Sequence, residues 1–270
     1  MRKVCVITGG GSGIGFAAAK EMIKQGYYVI LCGRNKQKLE NAVNELKYAQ
    51  TFQCDVSDRK KCDELAQYAA TCGDVMAVLH IAGMSPHMGD SNKIMTCNAL
   101  GTINMNDAFY PVLKEGGCII DTSSTSAYMT PSFIMPKKTY KLAMSNPNQF
   151  MKKIMKRVHL FPKKAQAGVA YAISKHFVIW YAKQDAFRYA KKNCRVLSIT
   201  PGNFDTPLGS MEKEEASTYN KFSAIPRNGK PDEIGPLYAY LADPRLSYLT
   251  GTDILCDGGC IAGGANALKR

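Results

Sequence analysis

Short apolar runs alternate with longer amphipathic stretches along nearly the whole chain. Residues 3–8 read as a buried first strand, and a glycine-dense turn follows from Gly9 to Gly15. The next amphipathic stretch, 16–25, has helical spacing and stops at Gly26. Residues 27–32 give a second strand ending at Gly33 and Arg34, after which Asn35 can cap a helix reaching about Tyr48. The alternation continues with a strand at 50–54, a helix at 61–72 and a strand at 75–81. A helix at 94–114 and a strand at 118–122 come next. Beyond residue 168 lie a helix to 191, a strand at 195–199, a helix at 232–242 and a strand at 252–256. Strands of four to seven residues between helices of ten or more predict an α/β fold. The expected architecture is a doubly wound parallel sheet of about seven strands, Rossmann-like, with helices on both faces. No linker or repeat divides residues 1–270, so one domain is expected.

The interval 129–167 breaks the rhythm, with Pro131, Pro136, Pro147 and Pro162 inside it. Phe150, Met151, Ile154, Met155, Val158 and Phe161 nevertheless fall at helical spacing, while Lys152, Lys153, Lys156 and Arg157 take the other side. A structureless connection of this length is improbable in a compact domain, so a helical insertion is expected.

Composition narrows the function classes. Thirty-five Lys and Arg against 22 Asp and Glu give a net charge of +13, which favours anionic cofactors and substrates. No nucleic-acid-binding module is visible, and nucleic acid is not expected as a partner. No apolar stretch is long enough to span a membrane, and Met1-Arg2-Lys3 does not open a signal peptide. Ten dispersed cysteines without a C-x-x-C pair suggest buried free thiols (Cys5, Cys32, Cys118, Cys194, Cys256) in a cytoplasmic protein. Four histidines without grouped carboxylates predict no metal site.

The chemistry gathers at two places. Gly9, Gly11, Ser12, Gly13, Ile14 and Gly15 lie between a strand and a helix, where backbone can approach a pyrophosphate and helix N–H groups can meet it. After the second strand stands Arg34 rather than an acid, which favours NADP(H) over NAD(H), although NAD(H) stays possible. Asp55, beside Val56, is placed either to bond the adenine amine or to cap the next helix near Ser57. Farther on, Tyr171 and Lys175 are four apart on a helix and share a face, where an ammonium would favour phenolate.

Taken in order, these segments resemble the short-chain dehydrogenase/reductase family over nearly the whole chain. The resemblance rests on Thr8–Gly15, His80-Ile81-Ala82-Gly83, Asn98-Ala-Leu-Gly-Thr102, Asp121-Thr-Ser-Ser124, Tyr171-Ala-Ile-Ser-Lys175, Pro201-Gly202 with Thr206, and Asp257-Gly258-Gly259. It implies that Tyr171 exchanges the substrate proton and that Ser124 holds the reacting oxygen, with Ser126 the next choice. It further implies that Lys175 binds the nicotinamide ribose and that Asn98 holds a water leading to solvent. Val56, Ala82, Gly83, Pro201, Gly202 and Thr206 would line the cofactor.

Two departures from that pattern stand out. His80-Ile81 replaces the usual asparagine pair, and a structural His80 is the expected consequence. Ser124 and Tyr171 are 47 residues apart, against the dozen or so common in the family. Some members of the family it resembles that act on hydroxysteroids or carbonyl compounds have a helical insertion there. The expected activity is therefore NADP(H)-dependent interconversion of a secondary alcohol and a ketone, with a hydroxysteroid or bile acid as substrate. A lid at about 203–228 would contribute Phe204, Leu208 and Met211, and Ser126 would also touch the substrate. Alternatives are reduction of a carrier-bound β-ketoacyl group and a catalytically silent nucleotide-binding regulator. A homodimer or homotetramer is expected.

Overall fold

The computed structural model describes residues 2–207, 209 and 218–266. Seven strands form one sheet: β1 (Lys3–Thr8), β2 (Tyr28–Gly33), β3 (Ala49–Gln53), β4 (Asp74–His80), β5 (Cys118–Thr122), β6 (Arg195–Pro201) and β7 (Asp253–Cys256). Their spatial order is β3-β2-β1-β4-β5-β6-β7, and every neighbouring pair is parallel. The order runs outward from β1 to β3, then returns to β4 and proceeds the other way. A crevice therefore opens at the carboxyl ends of β1 and β4, the usual ligand position in such sheets.

The helices around the sheet include α1 (Gly13–Lys24), α2 (Lys36–Asn44), α3 (Arg59–Cys72), α4 (Ser91–Met95), α5 (Gly101–Phe109), α6 (Ser126–Met129), α7 (Lys137–Tyr140), α8 (Pro147–Val158), α9 (Gln166–Ala190) and α10 (Pro231–Leu241). Alternate residues of β1 and β2 serve opposite layers, as the two-residue period of a strand requires. Val4, Val6, Ile30 and Cys32 join Leu65, Ile103 and Phe177 on one face. Cys5, Ile7, Val29 and Leu31 join Ala18, Leu39 and Tyr238 on the other. Burial on both faces explains why these strands read as continuous apolar runs. No described helix is long and apolar enough to cross a membrane.

Three expectations are revised, two of helix extent and one of burial. The helix predicted to reach Tyr48 ends at Asn44, because the chain must turn for Tyr48 to accept the Val29 N–H and start β3 in register. The single helix predicted at 94–114 is α4, a π turn at Thr96–Leu100, and α5 ending at Phe109. Polar side chains compete with its ladder: Thr102 donates to the Asn98 carbonyl, and Asn106 to that of Thr102. Cys256 is half-buried on β7, whereas Cys5, Cys32, Cys118 and Cys194 are buried as expected, and all are free thiols.

Between α6 and α9 the chain is largely helical. Phe150, Ile154, Met155 and Val158 are buried, while Met151 and Phe161 are half-buried and the four cations of α8 are exposed. Tyr140 of α7, which the sequence pattern did not mark, is fully buried. Its hydroxyl donates to the Ile173 carbonyl at 3.2 Å, and its ring meets Phe177 edge-on with centroids 5.3 Å apart. Phe150 stacks on Phe177 at 4.6 Å. Ile173 and Phe177 lie about half a turn round α9 from Tyr171 and Lys175. This segment thus braces the back of the helix whose front holds the candidate catalytic pair.

Candidate active site

The crevice is a cleft of about 420 Å³ running from β2 and β3 to α9 and the residues after β6. Its nucleotide end is shaped by backbone. Gly9 and Gly13 have φ of +69° and +54°, conformations that side chains other than glycine rarely adopt. A Cβ on Gly15 would sit 2.4 Å from the Gly9 carbonyl oxygen, so the loop closes onto α1 only with hydrogen at that position. Ser12, the N-cap of α1, makes no side-chain capping bond, and the first turn contains no acid. Ser12, Gly13, Ile14 and Gly15 all line the cleft. A cradle of that shape at a helix N-terminus fits the pyrophosphate of a dinucleotide.

Arg34 lies on the cleft wall beyond Gly33. Lys38 joins it there from the first turn of α2, one helical turn further along the chain, and the sequence reading missed it. Asn35 orients that turn by accepting the Lys38 N–H at 2.9 Å. Asp55 and Val56 also face the cleft. One Asp55 oxygen accepts the Ser57 N–H and hydroxyl in the turn ahead of α3, but the N-cap of α3 is Asp58, whose side chain accepts the Lys61 N–H, so Asp55 does not cap that helix.

At the centre of the sheet, Thr8 and His80 replace side-chain bonding that asparagines would otherwise provide. The Thr8 hydroxyl accepts the Ile81 and Ala82 N–H groups at 3.0 Å each. Its own proton is therefore left for Nδ1 of His80, 2.9 Å away, which assigns the ring as the neutral Nε2–H tautomer. Burial pushes the His80 imidazole down to about 3, with the Lys175 charge adding to the effect. His80 is thus a buried strut between β1 and β4, which keeps Ala82 and Gly83 on the cleft floor.

The catalytic end is assembled from β5 and α9. Tyr171 and Lys175 project from the front of α9, and the Lys175 Nζ lies 5.9 Å from the centre of the Tyr171 ring. Lys175 is buried and donates to the Thr122 carbonyl at 2.9 Å. Ser123, beside Ser124 on the cleft lining, donates to the Lys175 carbonyl at 2.7 Å, which ties β5 to α9. A Cβ on Gly83 would approach the Lys175 Nζ at 3.1 Å and the Asn98 Oδ1 at 3.3 Å. Glycine at 83 therefore leaves the space in which the lysine head group turns into the cleft.

Ser124 lines the cleft with Tyr171 and Lys175, and its hydroxyl accepts the Ser126 N–H at 3.3 Å. Ser126 itself does not line the cleft, because it begins α6, and its own hydroxyl is buried. The structure thus separates the two serines. Asn98, in the π turn, lies behind the wall: it accepts the Met84 N–H and donates to the Met84 carbonyl and the Ser174 hydroxyl. Its side chain fastens the loop after β4 to α9.

Pro201, Gly202, Phe204 and Thr206 reach the cleft from the end of β6. Phe204 is buried over Gly229, where a Cβ would clash with its ring at 2.5 Å, and pairs with Gly229 across a short bridge. It anchors the base of the expected lid more than its tip. Thr206 touches the Gly13 region, and its hydroxyl accepts the Gly209 N–H at 2.8 Å. Leu208 and Met211 lie outside the described residues. The cleft also exposes Met84, Met88 and Asn228, which no sequence pattern singled out. Among the described residues no His, Cys, Asp or Glu cluster could hold a metal ion.

Comparison with known proteins agrees with this geometry. Residues 3–156 match the short chain dehydrogenase family model, and residues 158–260 match that of the enoyl-(acyl carrier protein) reductases. The chain is similar to sorbose reductase of Schizosaccharomyces pombe, at 30% identity over 95% of each chain. It is also similar to a 3-oxoacyl-[acyl-carrier-protein] reductase of Thermotoga maritima, at 26% identity over 96% of this chain and 98% of the other. Among solved structures it resembles a Burkholderia cenocepacia short chain dehydrogenase in complex with NADP, with a TM-score of 0.74, 21% identity and coverage of 96% and 98%. A Brucella melitensis 3-oxoacyl-[acyl-carrier protein] reductase in complex with NAD resembles it equally, with a TM-score of 0.74, 20% identity and coverage of 96% and 97%. A family match across more than half the chain, on a parallel sheet whose crevice brings the glycine loop to the tyrosine and lysine, has one meaning: the chain belongs to the short-chain dehydrogenase/reductase family of NAD(P)-dependent oxidoreductases.

Proposed function

We propose that this oxidoreductase interconverts a secondary alcohol and a ketone with NADP(H), using Tyr171, Lys175 and Ser124 as its reacting side chains. The observation that carries the reading is their presence on one wall of the cleft that also holds the glycine cradle. The nicotinamide cofactor supplies the hydride when bound. Tyr171 gives its phenolic proton to the substrate oxygen during reduction and recovers it during oxidation. The Lys175 ammonium, held from behind by the Thr122 carbonyl, favours the phenolate and lowers the work of that transfer. Ser124 holds the same oxygen through its hydroxyl, whose orientation the Ser126 N–H helps to set. Asn98 positions this machinery by clamping Met84 to Ser174.

Arg34 and Lys38 support the preference for NADP(H), since two cations at the ribose end favour a 2′-phosphate. Met84, Met88, Phe204 and Pro207 give the remaining wall an apolar character suited to a cyclic ketone such as a hydroxysteroid or bile acid. Reduction of a β-ketoacyl group is the second reading, supported by the similarity to the Thermotoga enzyme. The family assignment sets aside a catalytically silent regulator. Initial rates with NADPH and NADH across steroid, bile-acid, simple ketone and β-ketoacyl substrates test both readings. Faster turnover with NADH would overturn the cofactor preference, and turnover confined to β-ketoacyl substrates would overturn the ring-ketone reading.

A further inference from the structure

All 22 Asp and Glu residues lie outside positions 122–184, while nine Lys and Arg residues fall between 137 and 164. The fold does not disperse them. Tyr140 of α7 and Phe150, Ile154 and Val158 of α8 turn into one core around Phe177, so the cations of both helices are left outside it. All nine are exposed. Elsewhere on the surface several cations meet carboxylates, as in Lys20–Asp232, Arg59–Asp63 and Lys61–Glu64. Among the described residues, Lys152, Lys153, Lys156, Arg157, Lys163 and Lys164 form no such pair.

Two large apolar side chains stand within this field. Phe133 is 81% exposed and Leu160 is 83% exposed. Arg157 bonds the Phe133 carbonyl at 3.5 Å, and the Leu160 N–H bonds the Arg157 carbonyl, so both apolar groups flank a cation of α8. We propose that this surface of residues 133–164 docks the protein on an anionic phospholipid bilayer.

Charge complementarity and the form of the patch both favour that occupant. Eight of the nine cations are lysines, point charges suited to a fluid layer of headgroups; fixed carboxylates or phosphates are more often met by arginine forks. Phe133 and Leu160 protrude singly, as shallow anchors beside a polybasic field do. The apolar face of α8 is already committed to the core, so docking needs no helix to leave the fold. The inference is independent of the substrate reading, because it concerns a surface outside the cleft.

The test is co-sedimentation of the full chain with phosphatidylcholine vesicles and with equal mixtures of phosphatidylcholine and phosphatidylglycerol. The expected result is binding to the mixed vesicles alone, released by salt. The combined K152E, K153E and K156E variant should partition at least about tenfold less. The F133S and L160S double variant should bind more weakly and release at lower salt, and both variants should keep the wild-type melting temperature and NADPH affinity. Equal binding to neutral vesicles, no binding to the anionic ones, or undiminished binding of the charge-reversed variant would overturn the proposal. Binding to RNA or an acidic carrier protein without vesicle binding would overturn it as well.

Discussion

The two ends of the cleft are built by different means. At the nucleotide end, backbone does the shaping: Gly9, Gly13 and Gly15 allow conformations and approaches that a single Cβ would block. At the catalytic end, side chains hold backbone in place, through Lys175 on Thr122, Ser123 on Lys175, and Asn98 between Met84 and Ser174. Behind that end, α7 and α8 add an aromatic brace to the back of α9. The first construction tolerates almost no substitution at a few positions. The second spreads its demands over many contacts, each replaceable at some cost.

Changes that touch one end and spare the other measure this division. The largest effect is expected for Tyr171→Phe, which should lower turnover by about 10²- to 10⁴-fold while NADP(H) titrations stay near wild type. A parallel loss of cofactor binding would show that the two ends are not separable. Next, Ile154→Ala removes a fully buried side chain of the brace and should cost about 2–5 kcal/mol in urea unfolding. A cost below about 1 kcal/mol would mean that α8 is not part of the cooperative core.

Arg34→Ala should reduce kcat/KM with NADPH by about 10- to 100-fold, the scale of hydrogen bonds to a charged group, and leave NADH rates nearly unchanged. Equal losses with both cofactors would place Arg34 on the adenine or outside recognition altogether. The smallest effect concerns pH. Burial lowers the folded His80 to about 3, whereas an unfolded histidine titrates near 6.5. Between those values the unfolded chain binds the extra proton, so stability rises with pH across the window and is complete above about 6.5. His80→Asn should flatten that acid limb, by up to about 1.4 kcal/mol per pH unit, in chemical unfolding between pH 4.5 and 6.5 (about the middle and top of the window). An unchanged slope would assign the limb to other groups.

The sequence revealed most where local backbone demands are strict. The alternation of runs gave the parallel sheet, and the glycine spacing gave the cradle, because both are consequences of backbone geometry that few residues satisfy. Four-residue spacing was enough to put Tyr171 beside Lys175. Lys38 escaped notice because its place in the cleft depends on where α2 begins and how Asn35 turns it. Ser124 and Ser126 could not be ranked firmly until α6 was seen to start between them and turn Ser126 away from the cleft. Tyr140 was invisible for a similar reason. It sits among prolines and lysines, and only the approach of Ile173 and Phe177 from α9 makes it core.

The π turn at Thr96–Leu100 carries one further consequence, for how the chain can change length. Removing one residue there would rotate α5 by about 100° relative to α4. Asn104 would leave the Val56 carbonyl and Asn106 would leave Asp121, while the Asn98 clamp would lose its aim at Met84. Surface loops elsewhere can lengthen or shorten without disturbing phase. This turn acts as a register mark, and insertions or deletions within it should be among the least tolerated in the protein.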